Sequence, residues 1–376
     1  MRPNLSRLAF IDNLRWTMII LVISMHAADT YSPLGNWYLV ERPPITHLTL
    51  VTFAAWQMYL QSFFMGLLFF VAGVFVPPSI DRKGPRTFLR DRAFRLGLPV
   101  LLYMFVIGPV TEYYLSHSWT APYSFAHEWV HHIVDLEVLQ ENGPLWFLLA
   151  LLIFSAVYAA RYARPQEHAP APPPGNAALI VFATSMAAGR FVIRGMLPDY
   201  SLFNMHLGDF SQYIMLFSAG IVAARNGWLN SFPYERGTRW LMVVLPIGFV
   251  AWLAIVRGGS IHDGWNWRSA AFSVWESVTC VAISVGLLVV YRDKADGQNA
   301  VTHVLSRNAF SVYLSRNAFS VYVFHPPFVI LGARLLWGLQ WPALLKCLLL
   351  TVLATVTTFA ASELVFRRIP LLRAIL

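Results

Sequence analysis

Ten runs of mostly apolar residues, each close to membrane-spanning length, leave this chain few ways to fold. The purest, FFMGLLFFVAGVFV at 63–76, carries no charge at all. A bilayer core takes about 20 helical residues, and backbone polar groups inside it must be satisfied within the segment, so such runs are read as spanning helices. The candidate spans are 10–30, 49–76, 96–115, 144–162, 177–197, 207–224, 240–257, 270–291, 317–337 and 342–364. The sixth is the least regular, because Asp209 and Gln212 sit near its start. Only 12% of the residues are charged, where a soluble domain carries about 25%. The expectation is an all-α polytopic membrane protein of about ten transmembrane helices. It forms one transmembrane domain over 1–376, with no room for a large soluble domain.

The formal charge of +9 raises nucleic acid as a partner. The basic residues, however, lie in short loops between apolar runs, where anionic membrane lipid and topology explain them, and no nucleic acid is expected. With the N-terminus inside, 20 of the 28 Lys and Arg fall on the cytoplasmic side, whereas the long segment between the third and fourth spans has none. Both termini are therefore expected in the cytoplasm. Residues 163–175, ARPQEHAPAPPPG, read as a Pro/Ala-rich cytoplasmic linker, a passive tether. Cys280 and Cys347 lie in apolar runs and are read as packing residues, not a disulfide.

Residues 305–313 and 314–322 repeat LSRNAFSVY without a change. A shift of nine residues rotates a helix by about 900°, placing the copies on opposite faces. The second copy runs into VFHPPFVI and reads as the start of the ninth span; the first reads as an interfacial addition.

The segment FIDNLRWTMIILVISMHAADTY, 10–31, places Arg15 and His26 eleven residues apart. On a helix that is about three turns and roughly 16 Å, so both share one face. Ionisable groups in lipid must face protein or a water-filled cavity, which makes the pair a site candidate. His26 suits a general base near neutral pH, or equally a packing histidine bonded to a neighbouring helix. Arg15, preceded by Asp12, suits a phosphate grip or equally a snorkelling anchor. In the inner loop RKGPRTFLRDRAFRLGLP, Arg92 and Arg95 stand three apart among six cations, a ready site for a polyanionic nucleotide such as coenzyme A or a plain topology signal. His325 precedes Pro326 and Pro327, which are expected to break the ninth helix beside it. Glu276 in the eighth span is a candidate to orient a histidine. HEWVH at 127–131 has zinc-like spacing without a third ligand, and no metal is expected.

Taken together, these motifs resemble the acyltransferase 3 family of bacterial membrane acyltransferases. The resemblance rests on DNLR followed by ten residues and His26, FFMGLLFFVAGVFVPPS, FLRDRAFRLGLP, GPLWFLLALLIF and FSVYVFHPP, and covers nearly the whole chain in order. IDNLR, the PPS and RKG stretch, and FLRDR with RLG are most similar to the glucan-succinylating branch. The resemblance implies acyl transfer from cytoplasmic acyl-CoA, as acetyl-CoA or succinyl-CoA, to a hydroxyl of a glycan or other acceptor beyond the outer face of a bacterial cytoplasmic membrane. It places Arg15 and His26 in the first-helix motif and Arg92 and Arg95 in the inner-loop motif. The repeat before His325 departs from the family pattern. A polytopic transporter or acyl-group permease is the alternative on physical grounds, although no half-to-half repeat supports it.

Overall fold

The computed structural model describes residues 9–116, 123–163, 169–197, 201–257, 261, 264–295 and 309–375. Arg2, Arg7, Arg164, Arg307, residues 164–168 of the linker and 305–308 of the repeat lie outside them. The chain is an all-α polytopic membrane protein. Its helices are α1 (Ala9–Tyr31), α2 (His47–Val74), α3 (Val76–Lys83), α4 (Pro85–Ser116), α5 (Phe125–Val134), α6 (Trp146–Ala160), α7 (Asn176–Met196), α8 (Phe210–Asn226), α9 (Tyr234–Val256), α10 (Trp267–Ala295), α11 (Ala309–Leu335) and α12 (Ala343–Leu364). A two-residue hairpin pairs Ser201 with His206 and Leu202 with Met205.

Among the described residues, nine helical segments are long and apolar enough to cross a membrane. The first span expected from sequence, α1, is not among them, although its 23 residues reach about 35 Å. The reason is position. Phe10, Ile11, Leu14, Met18, Ile23, Ala27 and Tyr31 of α1 are almost completely buried, and the helix packs against α2, α10, α11 and α12. Surrounded by protein, it carries Asp12, Asn13, Arg15, His26 and Asp29 without presenting them to lipid. In contrast, α9 presents Met242, Ile247 and Val250 outward and carries no charged residue after Arg239.

Close packing of α2 on α8 depends on two reciprocal glycines. A Cβ on Gly73 would lie 2.2 Å from the Phe217 carbonyl oxygen, and one on Gly220 2.1 Å from that of Phe70. Small residues at such a crossing let backbones approach where lipid offers no hydrophobic drive. The helix α4 is irregular, with wide π turns at Ala93–Gly97, Tyr103–Ile107 and Thr111–Ser116 around Pro99 and Pro109. Prolines lack the donor an α turn needs, and a wider turn absorbs the loss. Arg92 and Arg95 straddle the start of the first of these turns.

Three expectations change. Pro326 and Pro327 do not break the ninth helix, since α11 runs through both. Pro326 cannot donate to the Tyr322 carbonyl one turn back, and the His325 Nδ1 lies 2.8 Å from that oxygen and satisfies it instead. The described end of the first repeat copy, Ala309–Tyr313, belongs to α11, so the repeat lengthens that helix rather than adding a separate interfacial element. The linker is also fastened: Ala171 N donates to Asn226 Oδ1, Trp228 Nε1 to the Ala171 carbonyl, and Arg236 to the Pro174 carbonyl. An extended proline-rich strand leaves its backbone groups free for side chains, which is why it docks here.

Candidate active site

At the Arg15 end of α1, a cavity of about 570 Å³ opens between α1, α2, α3, α4, α6 and α11. Among the described residues, six cations line it, including Arg15, Arg92, Arg95 and Arg316, against a single carboxylate, Asp91. Asp91 accepts from Lys83 at 2.5 Å, and Asp12 lies 3.9 Å from Arg15. Arg92 stacks over the Phe88 ring at 5.2 Å, which fixes its guanidinium on the wall. Leu68, Val71, Leu148 and Leu151 form the apolar side. One pole of the cavity thus attracts anions and the other accepts a chain of methylene groups.

Farther along α1, His26 lies in a stack of rings. Trp37 covers one face at 4.1 Å with the planes 11° apart, and His325 lies 5.3 Å away at 18°. His26 Nδ1 faces Asp29 Oδ2 across 3.4 Å, close enough for ionic attraction but without an aligned hydrogen bond. Asp29 Oδ1 accepts from Gln57 Nε2 at 2.7 Å, which holds the carboxylate in place. The contact of His325 Nδ1 with the Tyr322 carbonyl makes Nδ1 the protonated nitrogen, so its buried Nε2 carries a lone pair with no partner. Beside the stack, the Tyr38 and Tyr103 hydroxyls are 3.1 Å apart. Burial pushes the Tyr38 hydroxyl well above the ordinary phenol range, so it remains neutral.

Tyr322 links the two regions. It lines the cavity, its ring is 6.1 Å from His325, and its hydroxyl donates to the Pro144 carbonyl. Arg15, Arg92 and Arg95 therefore share one cavity wall, while His26 and His325 meet beyond Tyr322. Glu276 does not orient a histidine. It accepts from Arg190 Nη2 at 2.8 Å and Arg194 Nη1 at 2.5 Å, within a buried cluster completed by Asp209. Asp29 is the carboxylate beside His26. Its spacing of three from His26 is a legible helix-face signal. Trp37 and Gln57 come from a loop and another helix, and no local spacing reveals them. Among the described residues, His132, Glu137 and Glu141 alone gather metal-type ligand atoms within 4.8 Å of one another. His132 Nδ1 lies 3.3 Å from Glu141 and 3.9 Å from Glu137, as ordinary ion pairing requires.

Fold and site together define a polytopic helical membrane protein whose ionisable residues converge inside the helix bundle. The acyltransferase 3 family model, an acyltransferase domain, matches residues 8–365, and the chain belongs to that family. No curated protein and no solved structure gives a significant match.

Proposed function

We propose that the protein moves an acyl group from cytoplasmic acyl-CoA to a hydroxyl acceptor on the far side of the membrane, with His26 as the base. The observation that carries this reading is the sequence of environments along α1: a cationic cavity at Arg15 and an imidazole beside a carboxylate at His26. Arg92 and Arg95 bind the phosphates of the donor through charge-assisted hydrogen bonds, and Arg15 steers the pantetheine arm along α1. The roughly 16 Å rise between Arg15 and His26 gives the arm room to present its thioester near the ring stack.

His26 then accepts the acceptor hydroxyl's proton on Nε2 as the oxygen attacks the thioester carbonyl. The carbon–sulfur bond breaks, and the coenzyme A thiolate leaves and takes up the proton from the imidazolium. Asp29 stabilises that imidazolium across Nδ1. Orientation follows the excess of Lys and Arg on the Arg15 side, which puts both termini in the cytoplasm of a bacterial inner membrane. On the resemblance of IDNLR and FLRDR with RLG to the glucan-succinylating branch, succinyl-CoA and a glucan are the first pair to test.

Membranes carrying the protein, incubated with labelled acetyl-CoA or succinyl-CoA, are expected to pass label into glycan or lipid fractions. His26→Ala is expected to lower the rate by about 10²–10⁴. Full transfer by a correctly inserted His26→Ala variant would falsify the role of His26.

A further inference from the structure

We propose that the buried ion pair between Lys346 and Glu41 is a positioning device that holds Trp37 against His26; its catalytic consequence rests on His26 being the reacting base. Lys346, in the first turn of α12, is completely buried. Its ammonium donates to both Glu41 carboxylate oxygens at 2.7 Å and to the Leu339 carbonyl at 3.3 Å, and lies 5.0 Å from the Tyr31 ring. A lysine inside a membrane helix is costly unless paired, and this one uses every proton it has.

The pair fastens the segment 32–46 that follows α1. Glu41 N donates to the Thr30 carbonyl at 2.8 Å, and Gly338 N to Glu41 Oε1 at 3.3 Å. At the segment's other end, Gly35 lies so close to Asp29 that a Cβ would be 2.3 Å from the Asp29 Cα. Trp37 lies between these two fixed points. With the indole parallel to the His26 ring at 4.1 Å and the His325 ring near-parallel at 5.3 Å, the imidazole is held in its orientation toward Asp29. The indole face also favours the imidazolium that forms during transfer. The polar partners of Lys346 and Glu41 are each other, the Leu339 carbonyl, the Thr30 carbonyl and Gly338 N, and not the His26 ring, so the pair acts through Trp37.

The test uses the full-length protein in detergent micelles and follows diethyl pyrocarbonate modification of His26 by mass spectrometry, a readout independent of acyl transfer. Lys346→Met and Glu41→Gln are expected to speed modification to the rate of Trp37→Ala. Trp37→Ala combined with Lys346→Met is expected to add nothing further. In the transfer assay, kcat falls by about 10- to 100-fold with KM for the donor unchanged, the size of loss seen when a partner that orients a metal-ligating histidine is removed. The charge-reversed pair Glu41→Lys with Lys346→Glu is expected to restore protection and rate together. Wild-type protection of His26 in a Glu41→Gln variant that keeps its thermal midpoint overturns the proposal. So does acceleration by Lys346→Met in the absence of Trp37. Should His26→Ala keep full activity while Lys346→Met still exposes His26, the base assignment fails and the positioning stands.

Discussion

Arg190 and Arg194 lie between Asp209 and Glu276, two cations against two carboxylates, each within 2.8 Å of a partner. Arg15, Arg92 and Arg95 lie around a cavity where six cations face one carboxylate. Both clusters are arginine groups inside a membrane protein, yet the first is neutral and solid and the second is positive and hollow. The neutral cluster ties α7, α8 and α10 together. Gln212 extends it to α2, accepting from Arg190 and donating to the Ser62 carbonyl at 2.7 Å. A closed network of this kind has no charge left to offer a ligand, so its role is to fix helices against one another. An excess of positive charge around open space has the opposite logic, because an anion entering the cavity relieves the repulsion.

Breaking the solid cluster carries the largest expected effect. Arg190→Met leaves two buried carboxylates with one arginine, and removing one partner of a buried pair costs about 3–5 kcal/mol. The expected outcome is a lower thermal midpoint and a poor yield of folded protein in detergent. The surviving fraction keeps the wild-type KM for acyl-CoA. A rise in KM without loss of stability would move this cluster from scaffold to site.

Emptying the hollow cluster should do the reverse. Each charge-assisted hydrogen bond to a phosphate contributes about 1.5–3 kcal/mol, so Arg92→Ala with Arg95→Ala is expected to raise KM for the donor by at least about tenfold. The thermal midpoint should hold or rise, since like charges are removed. Titration of donor binding against salt would show the wild-type dependence reduced in this variant. An unchanged KM would assign the arginines to topology alone.

The difference between the clusters also explains which parts of the molecule were legible in the sequence. The spans are legible as apolar runs because lipid-facing helices must be apolar, and α2, α4 and α6 to α12 follow that rule. The central helix α1 is legible as an apolar run too, but it departs from the rule by carrying Asp12, Asn13, Arg15, His26 and Asp29, which it can do because it packs against four other helices. Arg15, Arg92 and Arg95 were legible because charges near a cavity stand in short motifs on one or two helices. Glu276 was misread because its partners Arg190 and Arg194 are more than 80 residues away, so nothing local shows which cation it meets. The same distance hid Lys346, whose partner Glu41 is 305 residues earlier. Continuity of α11 through two prolines was unreadable for another reason: it depends on the His325 ring folding back to the carbonyl that Pro326 leaves open.

The smallest expected effect discriminates between the clusters most finely. Asp209 and Glu276 are indispensable to the neutral cluster, whereas Asp91 is the one carboxylate lining the cavity among the described residues and offsets part of its attraction for anions. Asp91→Asn removes that charge and releases Lys83, its partner at 2.5 Å. Both side chains are about a third exposed, so the pair is screened by solvent and adds little to stability. The variant should therefore fold normally. Donor KM should fall by about two- to threefold at low salt, because a solvent-exposed charge acts only weakly at this range. The gain should vanish near 1 M salt, where the screening length drops to about 3 Å. Glu276→Gln, which removes one carboxylate just as conservatively, should show no such gain and should lose stability at every salt concentration. If Asp91→Asn instead destabilised the protein without altering KM, the cavity would be a second scaffold of the first kind, and the contrast between the clusters would collapse.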